Sequence, residues 1–139
     1  MTKVGFIGAG DISLLHAEGV AEAQGAELTG LWNRTRSRAD EKAAFFGCKV
    51  FDSPEELVDA VDVVYVLTNM ETHHEYTMMA IEKGKHVLVE KPTAVTIEEI
   101  IEMKEAAAAK GVQVAPVHNY IYEPGVMRAK DLIESGKVG

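Results

Sequence analysis

Lys3–His16, KVGFIGAGDISLLH, is the stretch around which the chain is organised. An apolar run from Val4 to Ile7 breaks into Gly8-Ala9-Gly10, after which Ile12, Leu15, His16 and Val20 recur at helical spacing. The pattern predicts a strand, a tight glycine turn and a helix. Glycine lets a backbone turn sharply and lie close to a ligand, and the free N–H groups of a starting helix favour an anion. A dinucleotide pyrophosphate is the usual occupant of such a turn. The pattern departs from G-x-G-x-x-G at its last position, where Ser13 stands in place of glycine and is small enough to let the helix pack against the strand. Asp11 begins the helix, where the dipole favours a carboxylate; its backbone N–H is expected to serve the ligand and its side chain to point away.

Outward from that turn, 139 residues that are 47% hydrophobic suit one globular domain. A formal net charge of −8 argues against a nucleic-acid partner, so any phosphate contact must be local. The lone Cys48 excludes an internal disulfide and fits a reducing compartment, most simply as a small buried residue. No apolar run approaches the ~20 residues of a membrane span. The expectation is a soluble, cytoplasmic protein.

Strands and helices then alternate. Glu27–Trp32 reads as a second strand, followed by a helix that stops at Gly47. Lys49–Phe51 is a short third strand, and Ser53-Pro54-Glu55-Glu56 opens a helix with an N-cap serine and a glutamate placed for a capping box. Asp62–Leu67 is a near-continuous apolar strand, as in a parallel sheet covered on both faces. Thr72-His73-His74-Glu75 and Thr96-Ile97-Glu98-Glu99 repeat the capping-box pattern, with a fifth strand, His86–Val89, between their helices. Val112–Val117 is a sixth strand, and Pro124 starts a last helix that stops at Gly136. This order predicts an α/β fold, a doubly wound, mostly parallel Rossmann sheet in three layers. The loops after Ile7, Trp32, Leu67 and Val89 should converge on one crevice, because such sheets bind ligands where strand order reverses.

Within that crevice the end of the second strand decides which dinucleotide is held. An acidic residue about 20 residues past the glycines would bind the adenosine ribose and repel a 2′-phosphate. This chain has Asn33, with Arg34, Arg36 and Arg38 beside it, and a guanidinium can clasp phosphate or lie on adenine. NADP is favoured, with NAD the alternative; a methyltransferase on the same fold is disfavoured because the acidic ribose ligand is missing. Pairing of these arginines with Asp40 and Glu41 is the competing structural role. Glu90-Lys91-Pro92 ends the fifth strand at the same crevice, and the proline restricts Lys91 to a defined, extended pose suited to acid–base work, although by spacing alone it could equally be a surface lysine. His73 and His74 with Glu71 and Glu75 do not form a metal site, since adjacent histidines on a helix point apart. His16 reads as a packed histidine near the crevice, with no partner evident in the sequence.

Taken together, these motifs resemble the glucose–fructose oxidoreductase and inositol dehydrogenase (Gfo/Idh/MocA) family along essentially the whole chain. Gly8, Gly10, Ile12 and His16 meet its G-x-G-x-I-x-x-x-H opening; Thr68 and His73 meet T-P-N-x-x-H, with Asn69 and Met70 replacing proline and asparagine. Gly84-Lys85-His86-Val87 and Glu90-Lys91-Pro92 meet A-G-K-H-V-x-x-E-K-P; Asn119 and Pro124 meet N-x-x-x-x-P; Gly136-Lys137-Val138-Gly139 meets G-x-[IV]-G. The resemblance implies an NAD(P)-dependent oxidoreductase moving hydride between nicotinamide and a hydroxyl-bearing carbon of a sugar, polyol or similar small molecule. It implies cofactor contacts from Gly8, Ala9, Gly10, Asp11, Ile12 and Ser13 and from Glu90 and Lys91; Asn33, Arg34 and Arg38, read above, and the motif residues Thr68, Asn69, His73 and Asn119 complete the expected set. Lys91 is the implied catalytic residue. Residues 1–120 would be the NAD(P)-binding domain, and 121–139 an interdomain helix and stub leading to a C-terminal substrate domain. That domain, absent here, supplies the family's remaining catalytic residues and most of its subunit contacts. A stand-alone NAD(P)-binding sensor is the alternative function.

Overall fold

The structure, a computed structural model, describes residues 1–138. Gly139, the last position of the G-x-[IV]-G match, lies outside the described residues. Six parallel strands form one sheet: β1 (Thr2–Ile7), β2 (Ala26–Trp32), β3 (Lys49–Val50), β4 (Val63–Val66), β5 (His86–Val89) and β6 (Val114–Pro116). Their spatial order is β3-β2-β1-β4-β5-β6. The chain moves outward from β1 in one direction, returns, and moves outward in the other, so the order reverses between β1 and β4. The helices are α1 (Ile12–Glu22), α2 (Arg36–Phe46), α3 (Pro54–Ala60), α4 (His73–Glu82), α5 (Ile97–Lys110) and α6 (Pro124–Glu134). Among the described residues no helix is long and apolar enough to cross a membrane.

The alternation of side chains along β1 explains the three layers. Val4 and Phe6 face one side, with Leu31, Val20 of α1 and Ala39 and Ala43 of α2. Ile7 faces the other, with Val64 and Val66, Leu57 and Val58 of α3, Ala80 and Ile81 of α4, and Met103 and Ala107 of α5. Gly5 belongs to that second side, where a Cβ would stand 2.8 Å from the Leu57 side chain, so α3 packs directly on the β1 backbone.

Local signals account for most boundaries. Gly47 ends α2 at φ 69°, the left-handed conformation that a C-terminal stop requires. Thr96 forms a complete capping box with Glu99, and Ser53 Oγ accepts the Glu56 N–H at 3.1 Å. The box expected at Thr72 does not form. Residues Met70–Thr72 make a 3-10 turn, which aims the Thr72 hydroxyl back at Asn69 O (3.0 Å) and Thr68 Oγ1 (2.8 Å) instead of forward into α4. The helical spacing in α1 also differs in its facing. Ile12 and Leu15 are exposed, while Ser13 and Val20 are buried, because the small Ser13 is the residue seated against the sheet.

Candidate functional site

Three of the four expected loops, those after β1, β2 and β4, line one cleft around the point where strand order reverses, while the loop after β5 borders a separate hollow. The end of β1 is joined to β2 by the Gly8 N–H on Trp32 O (2.8 Å) and to β4 by the Leu67 N–H on Ile7 O (2.8 Å). Gly8 has φ +116°, and a Cβ there would lie 2.7 Å from Leu67 O. Only glycine fits a turn that both bends this way and passes this close to β4. Ser13 closes the turn from below: its N–H and hydroxyl both donate to Gly10 O, at 3.1 and 2.6 Å.

Above the turn lies a cleft of about 230 Å³, lined by Gly8, Ala9 and Gly10, by Trp32, Asn33, Arg34, Thr35 and Arg38, and by Leu67, Thr68, Asn69, Thr72 and Tyr76. Asn33 is fixed in its lining by two hydrogen bonds. Its Oδ1 accepts the Ala9 N–H (3.2 Å), and its Nδ2 donates to Thr35 O (3.0 Å). A Cβ at Gly10 would meet nothing within 4 Å, so the backbone there borders open space. The N–H groups of Gly10 and Asp11 have no partner among the described residues. Asp11 caps nothing with its side chain, which is fully exposed with Lys42 Nζ 4.0 Å away.

Of the three arginines, Arg34 and Arg38 line the cleft and Arg36 does not. Arg36 pairs with Asp40 and Asp52, so the expected structural role claims that one residue alone. Among the cleft-lining residues the only ionisable groups are therefore two cations and the Tyr76 phenol, in a chain of net charge −8. Tyr76 stands edge-on to Trp32, ring centroids 5.7 Å apart. Burial, and then the charge of Glu75, push its phenol pKa up.

The remaining predicted residues fall into other settings. His73 is 1% exposed, with Nδ1 2.8 Å from Pro92 O and Nε2 3.0 Å from Thr68 O, so it joins two crevice loops from beneath. Asn69 Nδ2 is bonded to the Glu71 carboxylate. Glu71's own backbone N–H, then Asn69, hold that carboxyl below its ordinary range. Glu90 is buried at the end of β5, with Oε1 2.8 Å from His16 Nε2 and Oε2 accepting the Lys91 N–H at 2.9 Å. Lys91 itself is exposed, precedes a cis proline, and borders a separate hollow with Asn119, Tyr120 and Ile121. Trp32, Thr35, Thr72, Tyr76 and the His16–Glu90 pair escape sequence reasoning. Only the strand order brings them to the site.

A parallel sheet reversing at β1 and β4, with a glycine turn and unpartnered amides at that point, defines a dinucleotide-binding Rossmann domain. Residues 2–118 match the model of an oxidoreductase family described as having an NAD-binding Rossmann fold. The chain belongs to this Gfo/Idh/MocA family. It is 36% identical over 139 residues to glucose-6-phosphate 3-dehydrogenase of Bacillus subtilis, covering 100% of this chain and 40% of that enzyme. An NAD-binding oxidoreductase from Klebsiella pneumoniae superposes with TM-score 0.91 at 32% identity, over 99% of this chain and 40% of that one. So does scyllo-inositol dehydrogenase from Lactobacillus casei with bound NAD(H) and scyllo-inositol, with TM-score 0.91 at 25% identity over 100% of this chain and 42% of that one. The chain thus spans about 40% of the length of the relatives it matches.

Proposed function

We propose that this chain is the cofactor-binding part of an NADP(H)-dependent dehydrogenase acting on a hydroxyl-bearing carbon of a sugar or polyol. The carrying observation is the cleft itself: two guanidinium groups, Arg34 and Arg38, without an ion-pair partner among the described residues, beside a glycine turn whose Gly10 and Asp11 amides are likewise unpartnered there, and an Asn33 where a carboxylate would repel phosphate. A dinucleotide fits these residues. Gly10 leaves room for close backbone approach, and the Gly10, Asp11 and Ile12 N–H groups form the anion-binding end of α1. Ser13 shapes the turn from below rather than touching the ligand. Asn33 holds the turn, and Arg34 and Arg38 take the adenosine 2′-phosphate. Thr68 and Asn69 flank the cleft towards the nicotinamide end, with His73 supporting that loop.

When bound, nicotinamide supplies the hydride acceptor or donor. The chain's own part is to orient it and to handle a proton. Glu90 fixes the backbone at Lys91, whose exposed side chain, beside Asn119, would hydrogen-bond a substrate hydroxyl, taking its proton as the free amine or returning it as the ammonium. Residues 1–120 form this unit and 121–139 lead from it towards a substrate domain; α6 accordingly has no buried residue. Relatives named for glucose 6-phosphate and scyllo-inositol support the substrate class.

Isothermal titration with NADP, NAD and S-adenosylmethionine tests the reading. NADP should bind tightest, and Arg34→Ala with Arg38→Ala should cost it at least about tenfold while leaving NAD nearly unchanged. Tighter binding of NAD, or no dinucleotide binding, would overturn it.

A further inference from the structure

Glu90 is the one buried carboxylate among the described residues, 7% exposed, and a buried carboxylate must find donors for its oxygens. It has two: His16 Nε2 on one oxygen and the Lys91 N–H on the other, at 2.8 and 2.9 Å. A carboxylate only accepts, so Nε2 is the protonated nitrogen of His16. The imidazole is held edge-on against Tyr65 (centroids 5.5 Å apart) and Phe6 (6.4 Å), which fixes its orientation on the sheet. His16 belongs to α1, the helix that begins at the glycine turn, and Glu90 ends β5, so one carboxylate joins the cofactor helix to the lysine backbone across 74 residues of sequence.

We propose that His16 is a positioning residue for Lys91, acting through Glu90. It turns the Glu90 carboxylate so that the second oxygen receives the Lys91 N–H, and thereby sets where the lysine leaves the strand relative to the turn. The importance of that placement rests on the proton-handling role proposed for Lys91. The placement itself is a property of the ligand-free chain and is measured there.

Amide hydrogen exchange followed by NMR on the ligand-free chain tests it. His16→Ala should speed exchange of the Lys91 amide roughly tenfold, the scale of one hydrogen bond, while the Glu90 amide, bonded to Val66 O at 3.0 Å, keeps its rate. His16→Gln, whose amide can donate near the same point, should restore Lys91. The 15N spectrum of the wild-type imidazole should show protonated Nε2, a readout that requires no variant. An unchanged Lys91 rate in His16→Ala would overturn the proposal. So would equal acceleration of Glu90 and Lys91, which marks a general loosening, or a folded His16→Gln that behaves like alanine, or an Nδ1-protonated ring. A failed NADP titration with these exchange results intact would refute the cofactor assignment and leave the positioning in place.

Discussion

Asn33 Oδ1 accepts the N–H of Ala9 at 3.2 Å, tying the end of β2 to the glycine turn, and the same side chain donates to Thr35 O at 3.0 Å. One amide therefore orders two sides of the cleft and carries no charge. Asn33→Asp keeps the acceptor for Ala9, loses the donor to Thr35 and places a negative charge beside Arg34 and Arg38. NADP affinity should fall by about tenfold or more, with NAD affinity held or raised. Asn33→Ala removes both bonds and should weaken both dinucleotides. Parallel titrations distinguish the two patterns.

Two glycines of one turn should respond in opposite ways. Gly8→Ala puts a Cβ 2.7 Å from Leu67 O at φ +116°, so it strains the junction of β1 and β4 and should cost about 2–4 kcal/mol in urea unfolding. At Gly10 a Cβ meets nothing within 4 Å. Gly10→Ala should leave stability unchanged or raise it by up to about 1 kcal/mol. The added methyl projects where a pyrophosphate would approach, and affinity should drop about tenfold.

Cys48 packs half-buried beside α2, and desolvation pushes its thiol pKa up, opposed only by a backbone hydrogen bond. Because the thiolate is the nucleophile, iodoacetamide should label the native chain several-fold more slowly than the urea-unfolded chain at pH 8. The native pH–rate midpoint should lie above the ordinary thiol value of about 8.5. By linkage, a proton held longer in the folded state contributes stability below that value, and the contribution is lost as pH rises through the higher native one.

What was legible in the sequence is what local spacing encodes. Asp62–Leu67 reads as a buried parallel strand from its near-continuous apolar run, within which β4 forms over Val63–Val66, and Ser53 and Thr96 announce their helices because a cap acts within four residues. The same signal misleads at Thr72, where a 3-10 turn offers the hydroxyl nearer acceptors. Ile12 and Leu15 look inward by period, yet the helix rotates to seat Ser13 under the turn. Arg34 and Arg38 are separable from Arg36 only when Asp52, on the connection after β3, is seen to claim the middle one. Tyr76 and the His16–Glu90 pair depend on which strands are neighbours, and no periodicity carries that information.

His73 holds the crevice from below. Its two ring nitrogens lie 2.8 and 3.0 Å from Pro92 O and Thr68 O, and the residue is 1% exposed. Those carbonyls belong to the loops after β5 and β4, which have no other described side-chain link of this kind. His73→Ala would leave a cavity and take the ring N–H donor away from one of these buried carbonyls, each effect worth about 1–3 kcal/mol. The expected loss is about 2–4 kcal/mol in urea unfolding, because loop relaxation and water recover part of the sum. His73→Gln keeps one donor and should recover part of that. Since Thr68 lines the cleft, dinucleotide affinity should weaken in the same order, alanine below glutamine below wild type, measured under conditions where each variant is fully folded. A destabilised alanine variant that nonetheless binds with wild-type affinity would show that the loop after β4 keeps its shape without the staple, and that His73 serves the fold alone.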